Sequence, residues 1–127
     1  MEQQLLKNKI SKISYIIPVF NEAQRISKSL ELLKNNFAFA NYKYEIIFVD
    51  DGSIDATKSI ITDFINSNQL EFFRIIGYQK NKGKGFAVKY GMLNAADDAE
   101  LFFFMDADLS TDLFEIDKFI DFYIHND

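Results

Sequence analysis

Cysteine and tryptophan are absent from this 127-residue chain, and proline and histidine occur once each. Without cysteine there is no disulfide framework, no zinc–thiolate centre and no thiol nucleophile. Positive charge is in deficit, with 14 Lys and Arg against 19 Asp and Glu and a net charge of -5, which argues against a general nucleic-acid binder. No apolar run approaches the roughly 18 residues that a bilayer-spanning helix needs. Residues 1–12 are polar and mixed in charge and lack the apolar centre of a signal peptide. The expectation is a cytoplasmic chain, not barred from work at a membrane surface. There is no internal repeat, linker or low-complexity tract.

What is present is a core. Hydrophobic residues make up 48% of the chain and charged residues 26%, with 14 Phe, so a single modest domain can bury an aromatic-rich interior. Ile13–Val19, Tyr44–Val49, Leu70–Ile76 and Leu101–Met105 read as strands. The second is apolar on both faces, as a central parallel strand is. Pro18 fits only near a strand end or where the chain leaves the sheet. Helical spacing predicts a helix from about Glu22 to Asn36, through Ile26, Leu30, Leu33 and Phe37. A second follows Asp55, a natural N-cap, with Ile60, Ile61, Phe64 and Ile65 inward. A third opens at Asn81–Gly85 with Phe86, Ala87, Tyr90 and Leu93 inward. A fourth runs from Leu113 to Ile124, with Leu113, Ile116, Phe119 and Ile120 on one face. The β-α alternation implies a mostly parallel α/β sheet with helices on both faces, joined by right-handed crossovers.

Acidic clusters end two of the apolar runs, where open α/β sheets bind their ligands. Asp106-Ala107-Asp108 places two carboxylates at i and i+2. They can share one divalent cation, or one can hold the cation while the other bonds a ribose, and hard oxygen ligands favour Mg²⁺ or Mn²⁺. A solvated loop is the plain alternative. Asp50-Asp51-Gly52-Ser53 with Asp55 could accept bonds from a base or a ribose, with Gly52 allowing close backbone approach; a turn followed by a cap is the plain alternative. Glu22 could hold a sugar, a base or a neighbouring backbone, or simply favour a helix start. Lys80, Lys82, Lys84 and Lys89 around two glycines form a basic patch at a helix N-terminus, suited to phosphate, or else a solvated loop. Their Gly-x-Gly lacks the third glycine of the dinucleotide fingerprint. His125 reads as a surface residue.

The order of these motifs is more specific than any one of them. Ile-Ile-Pro-Val-Phe-Asn-Glu, Val-Asp-Asp-Gly-Ser-x-Asp, Asn-Lys-Gly-Lys-Gly-x-Ala and Met-Asp-Ala-Asp-Leu-Ser together resemble the inverting family 2 glycosyltransferases with the Rossmann-like GT-A nucleotide-sugar-binding fold, over about Ile13 to Phe119. The branch most resembled is the dolichyl- and polyprenyl-phosphate glucosyl- and mannosyltransferases. The resemblance implies that Pro18, Phe20 and Glu22 line a nucleotide pocket and that Asp50 or Asp51 contacts the base. It further implies that Asp106 lies near ribose and metal, with Ala107 beside it. Asp108 would bind a Mg²⁺ or Mn²⁺ ion, and Lys84 would lie near the donor phosphates. The implied donor is a UDP- or GDP-hexose, UDP-glucose first. The implied acceptor is a lipid phosphate, already ionised near neutral pH and so needing no strong base.

Family catalytic domains run well past this length. Residues 1–127 are therefore expected to be one donor-binding subdomain, truncated before the acceptor-binding half, with any catalytic base beyond it. Such a chain is expected to bind donor and metal, to transfer sugar poorly, and to self-associate through uncovered apolar surface. Two rival readings are a nucleotidyltransferase and a non-catalytic nucleotide-binding or interaction remnant. The first normally has a glycine-rich loop after its first strand, where this chain has Pro18–Glu22. A receiver domain is disfavoured, because its acidic pair follows the first strand rather than the second.

Overall fold

The computed structural model describes residues 12–40, 42–109 and 112–125. Four strands and four helices alternate: β1 (Ile13–Val19), α1 (Ile26–Phe37), β2 (Tyr44–Asp51), α2 (Thr57–Ser67), β3 (Phe73–Tyr78), α3 (Lys84–Leu93), β4 (Leu101–Phe104) and α4 (Asp112–His125). All strand pairs are parallel, in the order β3-β2-β1-β4. The chain winds outward from β1 to β2 and β3, then crosses back to place β4 on the other side of β1. That reversal is a topological switch point, and it sits between β1 and β4.

Side-chain alternation divides the core between the two faces. Ile13, Tyr15, Ile17 and Val19 of β1, with Ile46 and Phe48 of β2, pack against Ile26, Leu30, Leu33 and Phe37 of α1, Ile61 of α2 and Ile116 of α4. Ile16, Ile47 and Val49 point the other way, onto Ala87 of α3. Both central strands are thus apolar on both faces, as their sequences require.

Pro18 lies inside β1, in register with Val49. It is tolerated there for a geometric reason. The carbonyl of Ile16 accepts from the Met105 N–H on the β4 side, and Pro18, two residues on, faces the same side after β4 has ended at Phe104. No ladder bond is lost by its missing N–H.

Several sequence boundaries move. The first helix begins at Ile26 rather than Glu22, because residues 23–25 form a preceding turn: the Glu22 N–H is held by Thr57 at the start of α2, the Ala23 N–H by Asp55, and the Arg25 N–H by the Glu22 carbonyl. The third strand is Phe73–Tyr78 rather than Leu70–Ile76, its start set by the register of Phe73 with Ile46. The fourth ends at Phe104, one residue early. Phe86 and Leu93 are exposed rather than inward. The small residues of α3, Ala87 and Gly91, face the sheet instead, so the helix lies too close for large ones; a Cβ on Gly91 would stand 2.6 Å from Ile16 Cγ2. Asp55 precedes the cap position, which is Ala56, though its carboxylate still accepts from the Thr57 N–H at 3.0 Å.

Candidate functional site

A cleft of about 460 Å³ opens at the carboxyl ends of β1 and β4, the switch point at which open α/β sheets take their ligands. Its floor is Pro18, Val19 and Phe20, where β1 ends. Glu22 and Arg25 come from the turn before α1, and Asp51 from the end of β2. Asn81, Gly83 and Lys84 enter from the β3–α3 loop, and Asp106, Ala107 and Asp108 from the loop after β4. Of the residues singled out in the sequence, Pro18, Phe20, Glu22, Asp51, Lys84, Asp106, Ala107 and Asp108 come together here. Asp50 does not line it. Val19, Arg25, Asn81 and Gly83 do; Val19, Asn81 and Gly83 stand inside the quoted motifs without having been singled out as site residues, and Arg25 stands outside them.

Strand alternation separates the two neighbouring acids. Asp50 faces the side of α1 and α2, in register with Val19, and accepts the Ser53 N–H at 3.1 Å. Asp51 faces the α3 side, and both are buried. Asp51 Oδ1 accepts from the Tyr78 hydroxyl at 2.7 Å and the Lys82 N–H at 2.8 Å. Its Oδ2 accepts from Asn81 Nδ2 at 2.9 Å and the Gly83 N–H at 3.0 Å. Burial, and then the bond to Asp51, push the Tyr78 hydroxyl well above its ordinary value, so it stays a donor.

The loop after β1 is tied to the β2–α2 turn. Asn21, at φ 50, donates its N–H to Ser53 Oγ at 2.9 Å and accepts the Ile54 N–H at 2.9 Å. Asparagine tolerates this left-handed backbone better than most residues. The Glu22 N–H donates to Thr57 Oγ1 at 2.8 Å, and the Ala23 N–H to Asp55 at 3.2 Å. Bonds from both Thr57 groups and from Ala23 hold the Asp55 carboxyl below the usual carboxylate range, those from Thr57 Oγ1 most of all. Glu22 in turn pairs with Arg25 at 2.8 Å.

The basic residues do not act together. Lys84 opens α3 and pairs with Asp106 across the cleft. Lys82 lies over the Phe86 ring, 4.6 Å from its centroid, and over Tyr78. Of the four lysines only Lys84 lines the cleft. On the far wall, Ser29 of α1 donates to the Ala107 carbonyl and braces the acidic loop. Leu109, just after it, is buried at φ 57, a strained conformation for a leucine.

Among the described residues no three acidic or histidine side chains converge on a metal position. Asp106 and Asp108 nevertheless offer two hard oxygen donors at one cleft, and a lysine ammonium already rests on one of them. Magnesium is commonly held by one or two carboxylates together with substrate phosphates. The residues present therefore fit a divalent cation bound jointly with a diphosphate.

An open parallel sheet with an acid-lined cleft at its switch point defines a Rossmann-like α/β fold. The profile of Glycosyl transferase family 2 matches residues 14–127, and the chain belongs to that family. It is 37% identical to dolichyl-phosphate beta-glucosyltransferase of Drosophila melanogaster over 112 residues, 84% of this chain and 34% of that protein. It is 36% identical to the Saccharomyces cerevisiae protein of the same name, over 86% of this chain and 33% of the relative. The chain thus spans about a third of the length of the curated relatives it matches. Among solved structures it is similar to S. aureus TarS in complex with UDP-GlcNAc, with TM-score 0.63 and 26% identity over 87% of this chain and 31% of that one. A Pyrobaculum calidifontis mannosyltransferase in complex with GDP-Man and Mn2+ shares the fold, with TM-score 0.66 and 23% identity over 84% of this chain and 33% of that one.

Proposed function

We propose that this chain is the donor-binding part of an inverting glycosyltransferase that moves a hexose from a nucleotide sugar, UDP-glucose first, to a polyprenyl or dolichyl phosphate. The observation that carries the reading is the meeting of the post-β1 loop, the Lys84 end of α3 and the Asp106–Asp108 loop in one cleft at the switch point. The names of the relatives support the lipid-phosphate acceptor and the glucosyl donor.

In this reading Pro18 and Phe20 form the nucleotide wall, Glu22 and Asp106 lie toward the ribose, and Lys84 faces the diphosphate. Asp108, with Asp106, would hold Mg²⁺ or Mn²⁺, which supplies Lewis-acid stabilisation of the departing nucleoside diphosphate. Lys84 and the N–H groups at the start of α3 supply fixed positive potential at the same charge. A phosphate acceptor is its own nucleophile, so the cleft needs no dedicated base. Because that acceptor is a lipid, the protein works at a membrane surface; among the described residues no helix is long and apolar enough to cross one.

Calorimetric titration with UDP and GDP, with and without Mn²⁺, tests the donor site. We expect metal-dependent binding of UDP, weakened at least about tenfold in Asp108→Ala, the equivalent of one lost charge-assisted contact. Binding of neither nucleotide by folded protein would overturn the reading. UDP-glucose supplied with a polyprenyl phosphate should give little or no transfer by this chain alone.

A further inference from the structure

One polar residue stands on the buried face of α1. Ile26, Leu30, Leu33 and Phe37 form the apolar stripe, and Ser29 is buried with them. A buried hydroxyl is costly unless it is hydrogen-bonded. A helical serine can meet that need by bonding the carbonyl four residues back, which here belongs to Arg25. Ser29 donates instead to the carbonyl of Ala107, the middle residue of Asp106-Ala107-Asp108 and 78 residues away in sequence. The other end of the acidic loop is fixed independently. The Leu109 N–H donates to the Asp106 carbonyl at 3.1 Å and closes the turn that contains both carboxylates. Leu109 itself holds a left-handed backbone at φ 57 and is buried in the same core as Ile26 and Leu30. A leucine persists in that conformation only where its surroundings fix it. Asp108 therefore lies between two anchors, the Ala107 carbonyl held by α1 and the Leu109 side chain in the core.

On the reading of the cleft as a site for a divalent cation and a nucleoside diphosphate, we propose that Ser29 is a positioning residue for the cation: by holding the Ala107 carbonyl it sets where the Asp106 and Asp108 carboxylates stand. Ser29 is not among the residues that line the cleft, so it acts through the loop and not on the ligand. The helix that carries it is secured to the opposite wall, because the Glu22 and Ala23 N–H groups just before α1 bond to Thr57 and Asp55. Through α1 the acidic loop is thus referred to the β2–α2 turn. A loop set in place beforehand spends less of the binding energy on its own ordering when the cation arrives.

The role predicts a split that a general loss of structure would not produce. Ser29→Ala removes the hydroxyl with little risk to the fold, since alanine is the best helix former. Calorimetric titration with UDP, with and without Mn²⁺, reads the factor by which the metal raises affinity. That factor should fall roughly fivefold in Ser29→Ala, the scale of one buried neutral hydrogen bond. Metal-free UDP affinity should stay within about twofold of wild type, since no contact to the nucleotide changes. Ser29→Thr keeps the hydroxyl, and its added methyl group has room in the adjoining hollow of about 610 Å³ that Ser29 lines, so it should restore the metal effect. Equal losses with and without Mn²⁺ would overturn the proposal, and so would a Ser29→Thr protein no better than Ser29→Ala. Hydrogen exchange supplies a readout that needs no ligand: the Leu109 amide, bonded to the Asp106 carbonyl, should lose protection in Ser29→Ala. Retained protection of that amide sinks the proposal whatever the nucleotide does. If wild type binds no nucleotide even with Mn²⁺ while the variant still loses that protection, the cleft reading falls and the hold of Ser29 on the loop stands.

Discussion

Single polar residues buried against this sheet act by collecting donors. Glu45 does so at the opposite end from the cleft, receiving the Ser14 hydroxyl at 2.6 Å, the Ala96 N–H at 2.7 Å and the Arg74 guanidinium at 3.3 Å. Arg74 also donates to the Asn94 carbonyl at the end of α3, so one carboxylate secures both the second strand and the α3–β4 connection. Burial alone would raise the Glu45 carboxyl, but the Ala96 N–H, the Ser14 hydroxyl and Arg74 outweigh it and hold the group below its ordinary 4.5. A carboxyl lowered in the folded state stabilises above its unfolded pKa and loses that contribution as pH falls through the folded value. Glu45→Gln should therefore cost about 1–3 kcal/mol at pH 7. The gap to wild type should shrink as pH drops below 4.5, as read by denaturant titration at several pH values. A gap that stays constant down to pH 3 would remove the charge from this account. None of this was visible in the sequence, where Glu45 is one acid in an apolar run and its partners lie 29 to 51 residues away. The Asp50–Asp51 pair was visible as a motif. Which acid served which purpose depended on strand alternation and on the loop opposite, and a motif holds neither.

Elements were more legible than residues, because each strand is a short apolar run and each helix has an apolar stripe. The misreadings have physical causes. The first helix was placed four residues early because the Glu22 and Ala23 N–H groups before it are held by Thr57 at the start of α2 and by Asp55, which local pattern cannot show. Of the third helix's expected inward face, Ala87 and Tyr90 pack on the core but Phe86 and Leu93 do not, because periodicity weights large apolar side chains, whereas α3 approaches the sheet through Ala87 and Gly91. Phe86 goes instead to a surface cluster with Tyr78, its ring centroid 5.2 Å away. The close approach makes a prediction in which two effects oppose each other. Gly91→Ala gains about 1 kcal/mol of helix propensity. Its Cβ, however, would lie 2.6 Å from Ile16 Cγ2 and 3.1 Å from Val49 Cγ2, both in the packed second core. Overpacking of that kind costs about 1–3 kcal/mol. The clash should win, and thermal melting should show a lower Tm for the variant. An unchanged or higher Tm would mean that α3 can lift off the sheet without penalty.

At the scale of the whole molecule the two sheet edges differ. β3 is flanked by the aromatic cluster of Tyr78, Phe86 and Tyr90, while β4 is a four-residue edge strand with Phe104 half exposed. Phe114 and Phe122 on α4 are also exposed, at 66% and 65%. An edge strand carrying a half-exposed phenylalanine is a template for a further strand or a second copy. The curated relatives are about three times as long as the segment they share with this chain, so this surface need not face water in them. In this chain two terms act on it. Burial of the aromatic side chains favours association at about 25 cal/mol per Å². The net charge of -5 opposes association over the range that salt screens, about 8 Å at physiological ionic strength. Association should therefore strengthen with protein concentration and also with added salt, the reverse of a contact held by ion pairs. Sedimentation velocity across both variables measures this. Phe104→Lys, which places a charge on the edge, should return the protein to monomer. A monomer that persists at high concentration and high salt would mean that α4 already shields the edge well enough for the chain to remain alone.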